Sequence, residues 1–267
     1  MNPEAETVRV DRTGPVVVIT LSRPPVNAID DALITRLEAA LDEAASSEEM
    51  TVLHLRSDQK TFCAGADLAL IRSSLGAAGG PDAMLRVVTR MQSLFRRIET
   101  SPIVTLAEVG GAALGAGLEL ALACDLRVAA TEAKLGLPEA RLGLVPGAGG
   151  TQRLTRLCGR GVASRLILGA EVIDGAQAER LGLVQWARPR EQLAEWTRDL
   201  AARYAAAPKA ALAAAKRCIE AQNDPARDGF SEELAATRHL YEEPETRRRV
   251  SEFLNRSATQ SYSKETL

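Results

Sequence analysis

The chain has 267 residues, of which 46 % are hydrophobic and 25 % are charged, and its formal net charge at pH 7 is −2. These values are ordinary for a globular protein, and they argue against a general attraction to nucleic acid or to an anionic membrane. No apolar run approaches the ~18 residues that cross a bilayer, and the polar residues 1–7 resemble no secretory or transit peptide, so we expect a cytoplasmic protein.

The first half of the chain alternates strand and helix patterns. Val16–Leu21 is rich in β-branched residues and predicts a buried strand. Asp30 predicts the N-cap of a helix whose apolar residues Leu33, Leu37 and Leu41 recur every four positions. Further strands are predicted at 52–55, 103–107 and 126–129. A stretch rich in Gly and Ser, residues 73–81, predicts a loop, and residues 84–95 after it have helical spacing.

The second half, from about Thr151, is almost entirely helical in pattern, and residues 191–221 are dominated by Ala, Leu, Arg and Lys. This order predicts an α/β fold with a mixed core over residues 1–200 and a helical region over 201–267. The C-terminal helices carry more apolar surface than one small core can cover. We therefore expect the chain to form oligomers.

Several common functional motifs are absent from the sequence. The glycine pairs near positions 115 and 147 do not complete G-x-G-x-x-G, no strand is followed by G-x-x-x-x-G-K-[ST], and H-E-x-x-H does not occur. His54 lies in an apolar strand pattern, which favours a structural role. The four cysteines have no C-x-x-C pair, so we expect buried, reduced thiols. The sequence thus predicts no metal site and no dinucleotide cofactor.

Three glycine-rich segments and two glutamates remain as candidates for chemistry. The segments cover residues 61–68, 109–120 and 136–151, and Glu119 and Glu139 lie within the second and third of them. Glycine allows positive φ and close approach of a ligand to the backbone, and a helix start presents free N–H donors. Any one such segment is typical of a structural turn. All three together favour a site in which main-chain N–H groups and carboxylates act on one substrate.

The segments resemble the crotonase family, also called the enoyl-CoA hydratase/isomerase superfamily. The resemblance covers roughly residues 8–256, and its motifs are S-R-P-P-V-N-A-I at 22–29, F-C-A-G-A-D-L at 62–68, the run 111–125 and P-G-A-G-G-T-Q-R-L at 146–154. It implies a crotonase-like spiral of repeated ββα units with a C-terminal helical trimerisation region, in a homotrimer or a dimer of trimers.

Carried over position by position, the resemblance implies that the backbone N–H groups of Ala66 and Ala116 form an oxyanion hole and that Glu119 and Glu139 are the catalytic acids. It further implies an enoyl-CoA hydratase of acyl-CoA degradation, which adds water to trans-2-enoyl-CoA to give 3-hydroxyacyl-CoA with no cofactor or metal. Six residues beside these groups are expected to contact the acyl-CoA substrate: Ala64, Gly65, Asp67, Leu68, Gly115 and Pro138.

Two departures from the family pattern and two alternative functions remain open. Gly110 stands where hydratases often carry Asn, and Arg248 and Arg249 stand where Glu-Gly is usual. An enoyl-CoA isomerase on the same fold would use one acid instead of two. An RNA-binding relative is favoured only by the basic run 247–249, which is more typical of a solvated helix face. Asp67 is also a candidate helix cap.

Overall fold

The computed structural model describes residues 7–45, 47 and 49–264, with side chains described as far as residue 256. The chain divides into two compact units, Met1–Tyr204 and Ala205–Leu267. The first unit contains every described strand, and the second unit is helical.

Nine strands are found within the described residues, and they form two sheets. They are β1 (Val8–Thr13), β2 (Val16–Leu21), β3 (Val52–Ser57), β4 (Val104–Val109), β5 (Ala113–Leu114), β6 (Leu126–Ala130), β7 (Lys134–Gly136), β8 (Val172–Asp174) and β9 (Trp186–Arg188). The large sheet has the order β1-β2-β3-β4-β6-β9, and the small sheet has the order β5-β7-β8. The β1–β2 pair is antiparallel and the rest of the large sheet is parallel.

Ten α-helices and one 3₁₀ helix accompany the strands in the described part of the chain. Those that begin in the first unit are α1 (Asp31–Ala45), α2 (Leu68–Ser74), α3 (Gly80–Glu99), α4 (Ala116–Leu122), the 3₁₀ helix (Pro138–Leu142), α5 (Gly150–Ile167), α6 (Gly175–Arg180) and α7 (Arg190–Ala205). The second unit contains α8 (Lys209–Ala221), α9 (Gly229–Glu242) and α10 (Pro244–Lys264).

After the β1–β2 hairpin, the chain repeats one structural step: a strand of the large sheet, a short extended segment in a second layer, and a helix. Thus β4 is followed by β5 and α4, and β6 is followed by β7 and the 3₁₀ helix. In the step after β3, Cys63 forms a parallel bridge with Ala113 of β5. Because successive large-sheet strands are parallel neighbours, each step moves the chain one strand along the sheet. The expected α/β class and ββα spiral are confirmed.

The elements with strong patterns lie where the sequence predicts them. The predicted strands and the helix capped by Asp30 are present, and Asp30 Oδ1 accepts the N–H of Leu33 at 2.8 Å. The prediction of a loop over 73–81 is wrong at both ends, since α2 runs to Ser74 and α3 begins at Gly80. The second half is less purely helical than expected, because β8 and β9 have three residues each and are too short to show alternation.

His54 has a structural environment, as its sequence context predicted. It lies on β3 with its Nε2 atom 3.0 Å from Oε2 of Glu108 on β4, and both side chains are buried. The separation is that of an ion pair, although neither atom has a hydrogen bond of acceptable geometry among the described residues. Cys63 and Cys124 are buried as predicted, whereas Cys158 and Cys218 are only half-buried.

Candidate active site

Three extended segments lie side by side and set the register of the site. Cys63 forms a parallel bridge with Ala113, and Ala113 pairs in turn with Leu135. The N–H of Cys63 donates to the carbonyl of Ala112 at 3.0 Å. Each segment then enters a turn within the next three residues. This register brings the three glycine-rich segments of the sequence to one place.

The first turn leaves the N–H of Ala66 out of the bridge to Ile29. The N–H of Ile29 donates to the carbonyl of Gly65 at 2.8 Å, and the N–H of Asp67 donates to the carbonyl of Ile29 at 2.9 Å. In a parallel bridge of this kind the residue between the two bonds, Ala66, directs its own N–H away from Ile29. Gly65 has φ 106°, which is a conformation that favours glycine.

The second turn lies directly against the first. A Cβ atom at Gly65 would be 3.0 Å from the carbonyl oxygen of Leu114 and 3.6 Å from the nitrogen of Ala116. Ala116 is the first residue of α4, after Gly115 with φ 54°. In the part of the chain that the structure describes, the N–H groups of Ala66 and Ala116 have no acceptor. Two neighbouring free donors are what the predicted oxyanion hole requires.

Glu119 lies one helical turn into α4 and is 2 % exposed. Its Oε1 atom accepts two main-chain N–H groups, from Ala148 at 2.8 Å and from Gly150 at 2.7 Å. The carboxylate is therefore held by backbone donors on one oxygen, and Oε2 is left for other partners.

Glu139 belongs to the 3₁₀ helix that follows β7. A Cβ atom at Gly115 would be 3.0 Å from Oε1 of Glu139, so this carboxyl lies beside the start of α4. Its Oε2 atom is buried and has no hydrogen-bond partner among the described residues. A buried carboxyl oxygen of this kind needs a partner from solvent or substrate.

Burial raises the pKa of both acids. For Glu119 burial is the largest cause, the N–H of Gly150 opposes it, and the nearby charge of Glu139 adds to it, so that the pKa rises to about 7. The pKa of Glu139 is also raised, again chiefly by burial. Two carboxyl groups with raised pKa values in one site can share a proton near neutral pH, and such perturbation is typical of catalytic acids.

The raised pKa of Glu119 predicts a pH-dependent gain in stability for Glu119→Gln. In the folded chain this carboxyl keeps its proton to about pH 7, whereas in the unfolded chain it loses the proton near pH ~4.3. Wild-type stability therefore falls as pH rises through this window, and the Gln variant lacks that loss. From pH 5 to pH 8 its free energy of unfolding should rise relative to wild type by on the order of 2–3 kcal/mol.

Denaturant unfolding at the two pH values measures this difference. Glu132→Gln is the matched control, because Glu132 is an exposed carboxylate paired with Arg190. A stability difference between Glu119→Gln and wild type that is the same at pH 5 and pH 8 would contradict the prediction.

The six residues predicted to contact the substrate lie around the two free N–H groups and the two glutamates. Gly65 and Gly115 form the two turns, Pro138 begins the 3₁₀ helix, and Leu68 begins α2 with its side chain 71 % exposed. Ala64 uses its N–H in a bond to the carbonyl of Val26 at 3.0 Å. The structure brings all six into the same region, and their contact with substrate stays a prediction.

Asp67 is a helix cap, with its carboxylate occupied by protein donors. Oδ1 accepts the N–H of Ala69 at 2.8 Å, and Oδ2 accepts Nη2 of Arg23 at 2.9 Å. The same Nη2 lies 2.8 Å from Oδ2 of Asp30. Two carboxylates therefore already balance the charge of Arg23.

Asn27 supports the first turn, a role that the sequence motif did not reveal. It is fully buried, and its Nδ2 donates to the carbonyl of Phe62 at 2.9 Å and to the hydroxyl of Ser57 at 2.7 Å. Its Oδ1 accepts the N–H of Arg23 at 2.8 Å. Asn27 lies within the sequence motif at 22–29. Its hydrogen bond to Phe62, 35 residues away in sequence, is visible only in the fold.

The described residues contain neither a metal-binding cluster nor a membrane-spanning helix. No three side chains of His, Cys, Asp or Glu gather there in a way that could hold a metal ion. Among the described helices none combines the length and the apolar character required to cross a membrane.

Comparison with known proteins gives consistent matches. The model of the enoyl-CoA hydratase/isomerase family matches residues 11–261. The 2,3-dehydroadipyl-CoA hydratase of Escherichia coli K12 is 37 % identical over 241 residues, covering 87 % of this chain and 92 % of the relative. A probable enoyl-CoA hydratase of Bacillus subtilis 168 is 40 % identical over 191 residues, covering 71 % and 72 % of the two chains. The crystal structure of an enoyl-CoA hydratase from Bacillus anthracis superposes with a TM-score of 0.86 at 32 % identity, covering 94 % and 96 %.

Proposed function

The chain belongs to the enoyl-CoA hydratase/isomerase family, and we propose that it is an enoyl-CoA hydratase in which Glu119 and Glu139 handle the water and the N–H groups of Ala66 and Ala116 hold the thioester oxygen. It adds water reversibly to the double bond of a trans-2-enoyl-CoA and gives a 3-hydroxyacyl-CoA. The observation that carries this assignment is that the buried Glu119 and the half-buried Glu139, both with raised pKa values, lie beside two free backbone donors.

The donors stabilise the charge that appears on the substrate. When the oxygen of water bonds to the β-carbon, the electron pair of the double bond moves toward the thioester carbonyl, and its oxygen becomes an enolate. The N–H groups of Ala66 and Ala116 are held in rigid turns before that charge forms, so they need no reorganisation. Donors of this kind act on any enoyl thioester, whatever its acyl chain.

The two acids move the protons. One carboxylate takes a proton from the attacking water, and the other carboxyl gives a proton to the α-carbon, so the enolate collapses to the saturated thioester. The reaction needs one proton on the pair, a state that the raised pKa values favour near neutral pH. The pair acts as a unit, and either glutamate is a candidate for the base.

Exposed apolar side chains support both a pocket for the acyl chain and an oligomeric assembly. Leu68, Leu142 and Val145 lie close in sequence to the site residues and are between 65 % and 71 % exposed, which suits the walls of an acyl pocket. In the helical unit Phe230 and Leu234 are 82 % and 74 % exposed. Surface of this kind supports a homotrimer, alone or as a dimer of trimers, built through residues 201–267.

We propose further that the enzyme works in the cytoplasm and needs no cofactor. Each step above uses protein groups and the substrate, and CoA enters as part of the substrate. The basic run 247–249 is the basis for an RNA-binding alternative, and two of its three arginines, Arg248 and Arg249, bind Oε1 of Glu245 at 2.6 Å. A cluster whose charge is partly balanced in this way gives less attraction for a polyanion.

The assay for this proposal uses purified protein and crotonyl-CoA. We expect loss of the absorbance of the conjugated enoyl thioester and formation of 3-hydroxybutyryl-CoA. Longer trans-2-enoyl-CoAs should lose this absorbance as well, up to the acyl length that the pocket can hold. A protein that leaves all of these substrates unchanged would not be a hydratase.

A further inference from the structure

The carboxylate of Glu119 is aimed by a turn, residues 147–150. Its two N–H donors belong to the peptide units 147–148 and 149–150, because an N–H lies in the plane of the preceding carbonyl. Glycine at 147, 149 and 150 makes rotation of these planes easy. The orientation of the Glu119 carboxylate therefore depends on how firmly these two peptide planes are held.

One plane is held from helix α3. Nε2 of Gln92 donates to the carbonyl of Gly147 at 2.6 Å. That carbonyl and the N–H of Ala148 are opposite ends of one peptide unit. Gln92 thus donates a hydrogen bond to the carbonyl of this peptide unit, and Glu119 accepts a hydrogen bond from its N–H.

The middle of the turn is held by Arg153. Its Nη1 donates to the carbonyl of Ala148 at 2.9 Å, and its Nη2 donates to Oε2 of Glu99 at 2.9 Å. Both charged side chains are nearly buried, at 11 % and 12 % exposure. The guanidinium lies against the backbone, since a Cβ atom at Gly149 would be 2.2 Å from Nη1.

We propose that Arg153, held by Glu99, and Gln92 are positioning residues for the hydration reaction: they lock the turn 147–150 so that its N–H groups fix Oε1 of Glu119 and leave Oε2 for the reacting water. The role rests on the proposed function, because these residues act on the reaction only through Glu119. None of the three is expected to contact the substrate.

The charged groups around Glu119 make the proposal testable through the pKa of its carboxyl group. Glu139 faces it from the 3₁₀ helix and Arg153 from α5, while Glu99 lies behind Arg153 with Arg96 at 3.4 Å. The charge of Arg153 lowers the pKa of Glu119, against the larger effect of burial. Arg153→Met should therefore raise the pKa of Glu119, and Glu99→Gln, which leaves Arg153 without that counter-charge, should lower it.

The experiment compares these two variants with Arg165→Met. Arg165 is on the same helix and forms an ion pair with Glu171, but both side chains are exposed. The first readouts are kcat, KM and the acid limb of kcat/KM with crotonyl-CoA. The second is the midpoint of the Glu119 carboxyl by ¹³C NMR titration of the free enzyme, with the signal assigned by its loss in Glu119→Gln.

We expect Arg153→Met to lower kcat by about 10- to 100-fold with KM within about twofold of wild type. The carboxyl midpoint should move up by about half a pH unit or more in Arg153→Met and down in Glu99→Gln. Arg165→Met should match wild type. A loss of activity that follows a loss of thermal stability, with both midpoints unmoved, would show that Arg153 is merely structural and would overturn the proposal.

Two further variants cover the case in which Arg153→Met does not fold. Arg153→Lys keeps the charge but cannot reach Ala148 and Glu99 together in a planar fork, so kcat should fall while the midpoint stays near wild type. Gln92→Leu, at an exposed position, should also lower kcat. Wild-type kcat in both variants would contradict the proposal. A wild-type protein without hydratase activity would refute the proposed function alone, since the NMR titration still tests the effect of Arg153 on Glu119.

Discussion

Glu139→Gln should lower kcat for the hydration of crotonyl-CoA by about 10³-fold, with KM changed little. General acid–base groups typically contribute between 10² and 10⁴ in rate. Glu139 is placed for that role, because its Oε2 atom is buried without a partner among the described residues and its pKa is raised by burial. Gln keeps the shape of the side chain but cannot take or give a proton at that atom.

The measurement is the initial rate of loss of enoyl-thioester absorbance over a range of crotonyl-CoA concentrations. Glu132→Gln is the matched control, since Glu132 is an exposed carboxylate in an ion pair, and it should keep the wild-type rate. Glu119→Gln should show a loss of similar size, because the pair works as a unit. Full hydration by Glu139→Gln would remove this residue from the mechanism.

The same variant distinguishes hydration from double-bond isomerisation. An isomerase needs one acid to carry a proton between carbon atoms, and Glu119 alone would suffice for it. If Glu139→Gln converted 3-enoyl-CoA to 2-enoyl-CoA at the wild-type rate, the isomerase alternative would be supported. We expect hydration to be the principal activity of the wild-type protein and to be lost in the variant.

Gly117→Ala should lower kcat/KM by about 10²–10³-fold, comparable to the loss of one oxyanion-hole donor. A Cβ atom at Gly117 would be 2.1 Å from the carbonyl oxygen of Cys63 and 2.8 Å from its Cβ. Both neighbours belong to the rigid segment before Ala66, so neither can move aside as a flexible side chain would. The start of α4 must shift, and the N–H of Ala116 shifts with it.

Gly161→Ala on α5 is the control, because nothing lies within 4 Å of the added methyl group. A helical Gly→Ala change at an exposed position should be neutral or stabilise by up to about 1 kcal/mol. Steady-state kinetics and thermal unfolding of both variants give the comparison. Gly117→Ala with wild-type kcat/KM would mean that the close packing of the two turns is not required for catalysis.

The site keeps two carboxyl groups in an environment that opposes their ionisation. Burial raises both pKa values, and for Glu119 the N–H groups of Ala148 and Gly150 offset part of this effect. Stability is given up here for chemistry, which is why Glu119→Gln is expected to be more stable and less active at pH 8. Functional sites often depart from the rules that stabilise the rest of a fold.

The sequence by itself determined the features that depend on local chemistry. Asp30 and Asp67 predicted helix caps, and both carboxylates accept N–H groups at the starts of helices. Val16–Leu21 predicted a buried strand that is present. Glycines at 65 and 115 predicted turns, and both have positive φ. Such features follow from neighbours within a few residues, so no distant part of the chain is needed to predict them.

The tertiary structure alone decided which of these features meet. Cys63 and Ala113 are 50 positions apart in sequence, and only their bridge brings the two free N–H groups together. Glu119 receives its donors from a turn about 30 positions later, and Arg153 finds Glu99 on another helix. Pairings of this kind are fixed by packing and sheet register over the whole fold, and composition and periodicity carry no record of distance in space.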